Sequence, residues 1–362
     1  MTFLLGLFTQ VGGRGGVQVV SMQLARRLAA HAQTGAAQVE LLALNDAPGS
    51  LHPVSAALRG FGRDWRKFSL AAFVAGVRAS SIWVAHVNLA PLAWLMCLLR
   101  PRLRYVVVAH GVEVWALRSS MQRAALRRAD MVVAVSAYTA GRLVELHRVS
   151  AAKIVVIPNV LADGLVLADG LPPAPAGAAD PNLILSVSRL DRDDSYKGID
   201  QLLRALALVR DARPETRCVI VGDGNDRARL EALAQQLNLA GRVQFAGALA
   251  TADLGVLYDQ CTVFCLPSSA EGFGIVFLEA MAHARPVVAL HAAATPEVVA
   301  HGVTGVLVAD ADPQKLCGAL LGLLNDPEVC GRMGAAGRAR VQAMYTPEVV
   351  EPQWQVLLQT LA

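Results

Sequence analysis

Residues 268–281 read SSAEGFGIVFLEAM and follow the apolar segment VFCLP at 263–267. The apolar run predicts a buried strand, and the periodic apolar residues after Gly274 predict a helix. Glu271 falls in the loop between them, and Glu279 follows eight positions later in the helix. The glycines of the loop leave backbone N–H groups at the positive end of the helix dipole, where anions bind. Such a segment is also common as a plain turn, but its two carboxylates favour a ligand that carries both phosphate and hydroxyl groups.

The composition is typical of a large α/β protein. The 362 residues, 54% hydrophobic and 17% charged, are enough for two domains that each bury a parallel sheet. Aromatic residues make up only 5%, which argues against a base-stacking surface, so no nucleic-acid partner is expected.

None of the six cysteines forms a CxxC pair or a Cys/His zinc spacing. We expect buried thiols in a reducing, cytoplasmic compartment and no metal site.

Charge is distributed unevenly along the chain. Residues 1–180 hold 18 Lys and Arg against 9 Asp and Glu, a net +9, and the remainder holds 15 against 20, a net −5, which sum to the overall +4. The basic clusters of the first half are consistent with ordinary solvated faces or with contact to anionic lipid headgroups.

Neither the N-terminus nor the uncharged segment 82–99 predicts a membrane insertion signal. The first residues, MTFLLGLF, lack the basic start and long apolar core of a signal peptide. Residues 82–99 have the length of a spanning helix. They contain His86, Asn88 and Pro91, however, and are predicted to divide into a strand at 82–86 and a helix at 88–99.

Short apolar runs alternate with helical patterns along the whole chain, which predicts parallel sheets with right-handed crossovers. The Pro-, Gly- and Ala-rich residues 166–181 predict a linker. We therefore expect a first domain over 1–165, a second over 182–345, and a final helix over 346–362 that crosses back to the first domain. The predicted strands are 2–8, 39–44, 82–86, 104–109, 131–135, 154–157, 182–187, 218–221, 243–246, 262–266 and 286–290.

Ligands of such sheets bind beyond the carboxyl ends of the strands, where several polar residues are predicted to lie. The first loop, TQVGGRGG at 9–16, lacks the spacing of G-x-G-x-x-G and is consistent with a tight turn or with a ligand site. His110 ends a strand and precedes a glycine, which favours function over the structural role that a single histidine usually has. Arg189 and Lys197 flank a strand-to-helix loop and could clamp a diphosphate, or could balance the acidic residues between them.

These segments together resemble the retaining, family-4-type glycosyltransferases of group 1, which include bacterial exopolysaccharide and lipopolysaccharide enzymes. Glu271 and Glu279 match the family's Glu-x7-Glu motif, and Arg189 with Lys197 matches its diphosphate-binding pair. The first loop also matches, although Gln18 stands where Glu is more usual. The resemblance implies the GT-B fold, in which two Rossmann-like, doubly wound α/β domains face a central cleft. The first domain would bind the acceptor and the second the nucleotide sugar.

The resemblance also implies a role for each candidate residue. Arg189 and Lys197 would neutralise the diphosphate, Glu271 would hold the sugar hydroxyls, and His110 would reach the sugar from the first domain. Glu279 would accept a hydrogen bond from the ribose, and Phe245 to Leu249 would form the base pocket. The full set is catalytic Glu271, Arg189, Lys197 and His110, with donor-binding Gly15, Gly16, Gly222, Phe245, Gly247, Leu249, Phe273, Gly274, Ile275 and Glu279.

The implied reaction is transfer of a hexose from GDP-mannose or a UDP-sugar to a saccharide, expected to be lipid-linked, in cell-surface polysaccharide or glycolipid synthesis. No metal and no cofactor beyond the nucleoside diphosphate sugar is implied, and the place would be the inner face of the membrane. The form Tyr-Lys-Gly-x-Asp at 196–200 resembles bacterial exopolysaccharide mannosyltransferases, and this resemblance favours GDP-mannose slightly. An NAD-dependent oxidoreductase stays open as an alternative, although the G-x-G-x-x-G spacing is missing. A non-catalytic nucleotide-sugar-binding protein is the other alternative.

Overall fold

The computed structural model of the chain describes residues 2–13, 15–35, 37–49, 58–117, 119–161 and 179–361. It divides into two compact units, Met1–Asn159 with Val350–Ala362 and Val160–Val349. The chain therefore passes from the first unit to the second after Asn159. Most of the predicted linker over 166–181 lies outside the described residues.

The first unit is built on a parallel sheet whose order, β3-β2-β1-β4-β5-β6-β7 in the described residues, is that of a doubly wound fold. Its strands are buried on both faces, as the continuous apolar runs predicted: all four residues of β4 are buried. The strands are β1 Thr2–Phe8, β2 Ala37–Ala43, β3 Leu58–Gly60, β4 Ser81–Val84, β5 Arg104–Ala109, β6 Met131–Ala134 and β7 Ile154–Val156.

Helices cover this sheet, and the uncharged segment 82–99 divides as predicted. It forms β4, a 3₁₀ turn at Val87–Leu89 and a separate helix, because Pro91 suits the first turn of a helix. No helix in the described parts of the chain is long and apolar enough to cross a membrane. The helices of this unit before its C-terminal part are α1 Gly16–Gln33, α2 Trp65–Gly76, α3 Ala90–Leu99, α4 Val112–Trp115, α5 Ser120–Arg128 and α6 Ala137–His147.

The second unit repeats the architecture with the strand order β10-β9-β8-β11-β12-β13, again parallel throughout the described residues. The predicted α/β fold is thus confirmed in both units. The strands are β8 Leu183–Val187, β9 Arg217–Val221, β10 Val243–Gly247, β11 Val263–Leu266, β12 Val287–Leu290 and β13 Gly305–Val308. The helices are α7 Ile199–Ala212, α8 Arg227–Gln236, α9 Thr251–Gln260, α10 Ile275–Ala282, α11 Thr295–Val298, α12 Pro313–Leu324, α13 Pro327–Met344 and α14 Pro347–Leu361.

Helix α14 begins in the second unit, and its residues from Val350 onward belong to the first. Within the first unit, Arg27 of α1 donates to the carboxylate of Glu351 at 2.7 Å. The same guanidinium lies 4.9 Å from the ring of Trp354, which is buried. Charge pairing and ring contact together hold the end of the chain on α1.

Two strands escaped prediction because they are short and contain glycine. β3 has three residues at the edge of its sheet, and β13 begins at Gly305, directly after a turn. A Cβ at Gly305 would collide with the backbone of Val287 on the neighbouring strand, so a glycine is required at this position. The six cysteines are free thiols, all buried except the half-buried Cys97.

Candidate functional site

The loop between β11 and α10 turns at Gly274, which caps the helix with a left-handed backbone, φ +91°. A Cβ at this position would collide with the ring of Phe277, so both the conformation and the space require glycine. No side chain caps the start of α10, and the first N–H groups of a helix have no intrahelical partner. The amides around Phe273, Gly274 and Ile275 therefore form the positive end of a helix, as the sequence predicted.

Lys197 and Glu271 meet directly beside this loop. The Lys197 Nζ lies 2.7 Å from Glu271 Oε1, and both side chains are mostly buried. They approach because β8 and β11 are neighbours, so the loops that follow the two strands lie side by side. A backbone hydrogen bond of 2.9 Å from the Ser269 N–H to the Tyr196 carbonyl ties the loops together. The predicted diphosphate-binding cation and the predicted sugar-binding carboxylate thus form one ion pair.

Gly198, which directly follows Lys197, sits where no other residue fits. Its φ is +72°, and a Cβ there would collide with the carbonyl of Pro267 at the end of β11. Only glycine lets the two loops pack this closely. The Lys197–Glu271 contact therefore depends on the residue next to it.

Arg189 lies in a more open place than Lys197. Its side chain is 63% exposed, and its guanidinium is 2.8 Å from the carboxylate of the buried Asp194. Arg189 thus pairs with one of the acidic residues between the two cations, whereas Lys197 pairs with Glu271. Asp191, a second acidic neighbour, instead accepts the N–H of Asn225 at 3.1 Å.

The predicted base pocket lies at the carboxyl ends of β9 and β10. Gly222 has φ +134°, and a Cβ added there would collide with the Ser188 carbonyl. The Gly222 N–H donates to the Gly247 carbonyl at 2.8 Å. Arg227 donates to the carbonyl of Phe245 at 2.9 Å. These contacts give the two glycines a packing role, and binding of a base by Phe245, Gly247 and the half-buried Leu249 stays a prediction.

Glu279 lies one turn into α10 and is 8% exposed. The hydroxyl of Tyr258 on α9 donates to its Oε2 at 2.8 Å. Burial raises the pKa of Glu279 from 4.5 to about 7, and the Tyr258 hydrogen bond opposes that rise. Its carboxyl group thus changes charge near neutral pH.

In the first unit, His110 follows β5, and hydrogen bonds hold both its backbone and its ring. Its backbone N–H donates to Glu113 at 2.6 Å, and its ring Nε2 lies 2.6 Å from the Ala85 carbonyl. Because a carbonyl accepts only, Nε2 carries a proton, and Nδ1 of the neutral ring is then an acceptor. Nδ1 is buried and has no hydrogen-bond partner in the described residues. A buried acceptor of this kind suits a ligand hydroxyl.

Asp46 holds the start of the first loop and was not among the residues predicted from the sequence. This buried carboxylate, just beyond β2, accepts the N–H groups of Val11 and Gly12 at 2.8 and 3.0 Å. Gly15 and Gly16 come next, Gly15 as the N-cap of α1 and Gly16 as its first residue. The position of Asp46 at a strand's carboxyl end was the signal that could have revealed it.

The structure thus brings the second-unit candidates Arg189, Lys197, Glu271 and Glu279 to the carboxyl-end side of one sheet, as doubly wound folds do. His110, Gly15 and Gly16 occupy the same side of the other sheet. In the described ranges, no three His, Cys, Asp or Glu side chains are arranged to hold a metal ion.

Sequence comparison identifies two matching families that together span most of the chain. The family described as glycosyl transferases group 1 matches residues 173–340, and glycosyltransferase family 4 matches residues 14–161. A D-inositol 3-phosphate glycosyltransferase of Streptomyces scabiei is 30% identical over 92% of this chain and 83% of its own. A GDP-mannose-dependent alpha-(1-6)-phosphatidylinositol monomannoside mannosyltransferase of Mycolicibacterium smegmatis is 35% identical over 69% of each chain.

Solved structures agree with these families in fold. The sucrose-phosphate synthase of Thermosynechococcus elongatus superposes with a TM-score of 0.81 at 25% identity, covering 100% of this chain and 99% of its own. Anabaena HepE, solved with UDP-glucose, gives a TM-score of 0.80 at 21% identity and covers 99% of this chain and 100% of its own. The chain therefore has the GT-B fold.

Proposed function

The chain belongs to the family 4, group 1 glycosyltransferases, and from this premise we propose that it transfers a hexose from a nucleoside diphosphate sugar to a saccharide with retention of anomeric configuration. The observation that carries the proposal is the 2.7 Å ion pair between Lys197 and Glu271. It joins the family's cation and carboxylate motifs in one place beside the uncapped start of α10.

The chemistry follows from the charges of this group. An ammonium has three donors, so Lys197 can bind Glu271 and a phosphate oxygen together. In the proposed reaction, Lys197, Arg189 and the amides at the start of α10 neutralise the diphosphate as the anomeric bond breaks. Such preorganised donors contribute about 10²–10³-fold in rate each. Glu271 would hold the sugar hydroxyls and stabilise positive charge at the anomeric carbon. These cations are proposed to replace a divalent metal, so EDTA should leave turnover unchanged.

For the donor we propose GDP-mannose first and a UDP-sugar second. The name of the mycolicibacterial relative supports GDP-mannose, whereas HepE was solved with UDP-glucose. Asp200 is part of the segment that favoured GDP-mannose. Its carboxylate accepts hydrogen bonds from the two terminal nitrogens of the Arg229 guanidinium, at 2.7 and 2.9 Å. Because this carboxylate joins α7 to α8, Asp200 is structural and does not distinguish the two donors.

Calorimetric titration with GDP, UDP and NADH tests the site. We expect micromolar binding of one nucleoside diphosphate and no binding of NADH. Lys197→Ala should weaken that binding at least about tenfold, since a charge-assisted hydrogen bond is lost. Lys315→Ala is the matched control, because Lys315 forms an ion pair of the same 2.7 Å length with Asp310 on an exposed surface of the same unit. Equal effects of the two substitutions, or binding of NADH alone, would contradict the proposal.

We further propose that the acceptor is lipid-linked and that the first unit contacts the membrane from its cytoplasmic side. The support is an exposed surface, here termed the α2–α3 apolar surface, of Leu70, Val74, Val77, Leu95, Leu98 and Leu99. Leu70 and Val74 of α2 and Val77, its C-cap, follow at intervals of four and three positions, which places them on one helix face. Arg100, at the end of α3, donates to the carbonyls of Gly76 and Ala79 at 2.6 and 2.9 Å, which brings the two helices together.

Basic residues border this surface at both ends of α2, with Arg66 and Lys67 at its start and Arg78 after its end. Apolar side chains rimmed by cations suit an interface with anionic headgroups. Val77 and Leu99, 68% and 70% exposed, are the residues to change.

Co-sedimentation with phosphatidylglycerol and with phosphatidylcholine vesicles tests the membrane contact. We expect binding to the anionic vesicles only and its loss in the double substitution Val77→Ser, Leu99→Ser. Val256→Ser on α9, at a residue 52% exposed, is the control that should retain binding. Binding that survives the double substitution would contradict the proposed surface.

A further inference from the structure

Tyr258 is the one buried residue of α9, a helix that otherwise lies on the surface of the second unit. Its side chain is fully buried, and its ring stacks on that of His283 with centroids 5.3 Å apart and lies 5.9 Å from the ring of Phe264. Arg285 donates from Nε to the Tyr258 carbonyl at 2.9 Å. The ring and the backbone are thus both fixed, so the direction of the hydroxyl is fixed as well.

That hydroxyl points at Glu279. It donates to Oε2 at 2.8 Å across 21 positions of sequence. A phenol has one proton to donate, so only one carboxylate oxygen is engaged. Oε1 of Glu279 has no hydrogen-bond partner in the described residues. The arrangement holds the carboxylate in one orientation with one oxygen available.

We propose that Tyr258 is a positioning residue of the nucleotide site, which fixes Glu279 so that its Oε1 accepts a ribose hydroxyl of the donor. The inference rests on the proposed function, because Glu279 receives its ribose role from the Glu-x7-Glu motif. It adds a residue that belongs to none of the motifs named in the sequence, on helix α9.

Three physical features support the assignment. A buried carboxylate needs a donor, and Tyr258 supplies one that holds no charge of its own. The phenol is held by aromatic contacts on two sides, so it loses little freedom when the ligand binds. Finally, the Tyr258 hydroxyl donates to Glu279, one turn into α10, so its effect should be confined to the ribose.

The experiment compares a nucleoside diphosphate with its 2′-deoxy and 3′-deoxy forms by calorimetry, using whichever of GDP and UDP binds. In the wild type, one deoxy form should bind about tenfold or more weakly, as expected for a hydrogen bond to a charged group. In Tyr258→Phe that ratio should fall below about threefold. Glu279→Gln provides a second variant, and the ratio should fall there too.

Tyr105→Phe is the control, since Tyr105 donates from its buried hydroxyl to the Ala125 carbonyl at 2.6 Å in the first unit. It should keep the wild-type ratio. A purely structural role of Tyr258 would weaken all forms equally and leave the ratio unchanged, and this result would overturn the inference. If neither GDP nor UDP binds the wild type, the proposed function itself fails, which is a separate outcome.

Discussion

Replacing Glu279 with Gln should make the second unit less sensitive to rising pH. The folded protein holds the proton of Glu279 with a pKa of about 7 instead of 4.5, because the group is buried. Glu279 therefore binds a proton more tightly in the folded protein than in the unfolded chain. Its contribution to stability is fully present below about pH 4.5 and is lost as the pH rises through about 7.

The magnitude follows from the size of the shift. About 2.5 pKa units at 1.36 kcal/mol each correspond to about 3 kcal/mol. Most of this, about 2 kcal/mol, should be lost between pH 5 and pH 8. Glutamine keeps the size of the side chain and an oxygen that accepts from Tyr258, but it has no proton to lose. The wild type should therefore lose about 2 kcal/mol relative to Glu279→Gln over this range.

The assay is urea unfolding of both proteins at pH 5 and pH 8. All five tryptophans, at positions 65, 83, 94, 115 and 354, lie in the first unit. Tryptophan fluorescence therefore follows the first unit, and circular dichroism follows both. The fluorescence transition should be the same in the two proteins, and the difference should appear in the dichroism. A stability difference that is equal at pH 5 and pH 8 would show that folding does not raise the pKa of Glu279.

Two further predictions concern local packing. Gly198→Ala should destabilise the second unit by at least about 1 kcal/mol, because of its positive φ and the collision with Pro267. Gly318→Ala, a helical glycine with open space around it, should not destabilise and is the control in the same thermal scan. Asp46→Ala should lower the first-unit transition seen by tryptophan fluorescence, since two loop amides lose their acceptor at about 1–3 kcal/mol each. An unchanged fluorescence midpoint would show that the loop does not depend on this carboxylate.

Much of the fold could be predicted because its elements carry local signals. β1 and β5 have the predicted bounds, since apolar runs end at polar or glycine residues. The last three helices begin at Pro313, Pro327 and Pro347, because proline suits the first position of a helix. β3 and β13 were not predicted: the three residues of β3 include only one apolar side chain, and β13 begins at a glycine directly after a turn.

The candidate site was predictable in its residue types but not in its contacts. Lys197 and Glu271 are 74 positions apart, and their ion pair follows from the neighbouring positions of β8 and β11 in the sheet. The contact of Tyr258 with Glu279 likewise requires α9 to pack beside α10. Local patterns describe single elements, whereas these contacts depend on how elements assemble. Sequence reasoning therefore named Glu279 but not its partner.

Retaining sugar transfer that depends on Glu271 can be observed by proton NMR of GDP-mannose and of UDP-glucose, incubated with the protein and a membrane lipid extract. We expect that one donor is consumed, that the transferred sugar is the α anomer, and that Glu271→Gln slows consumption at least about a hundredfold while nucleoside diphosphate binding persists. A β-linked product, or consumption that is unchanged in Glu271→Gln, would show that the chain is not a retaining transferase that uses Glu271.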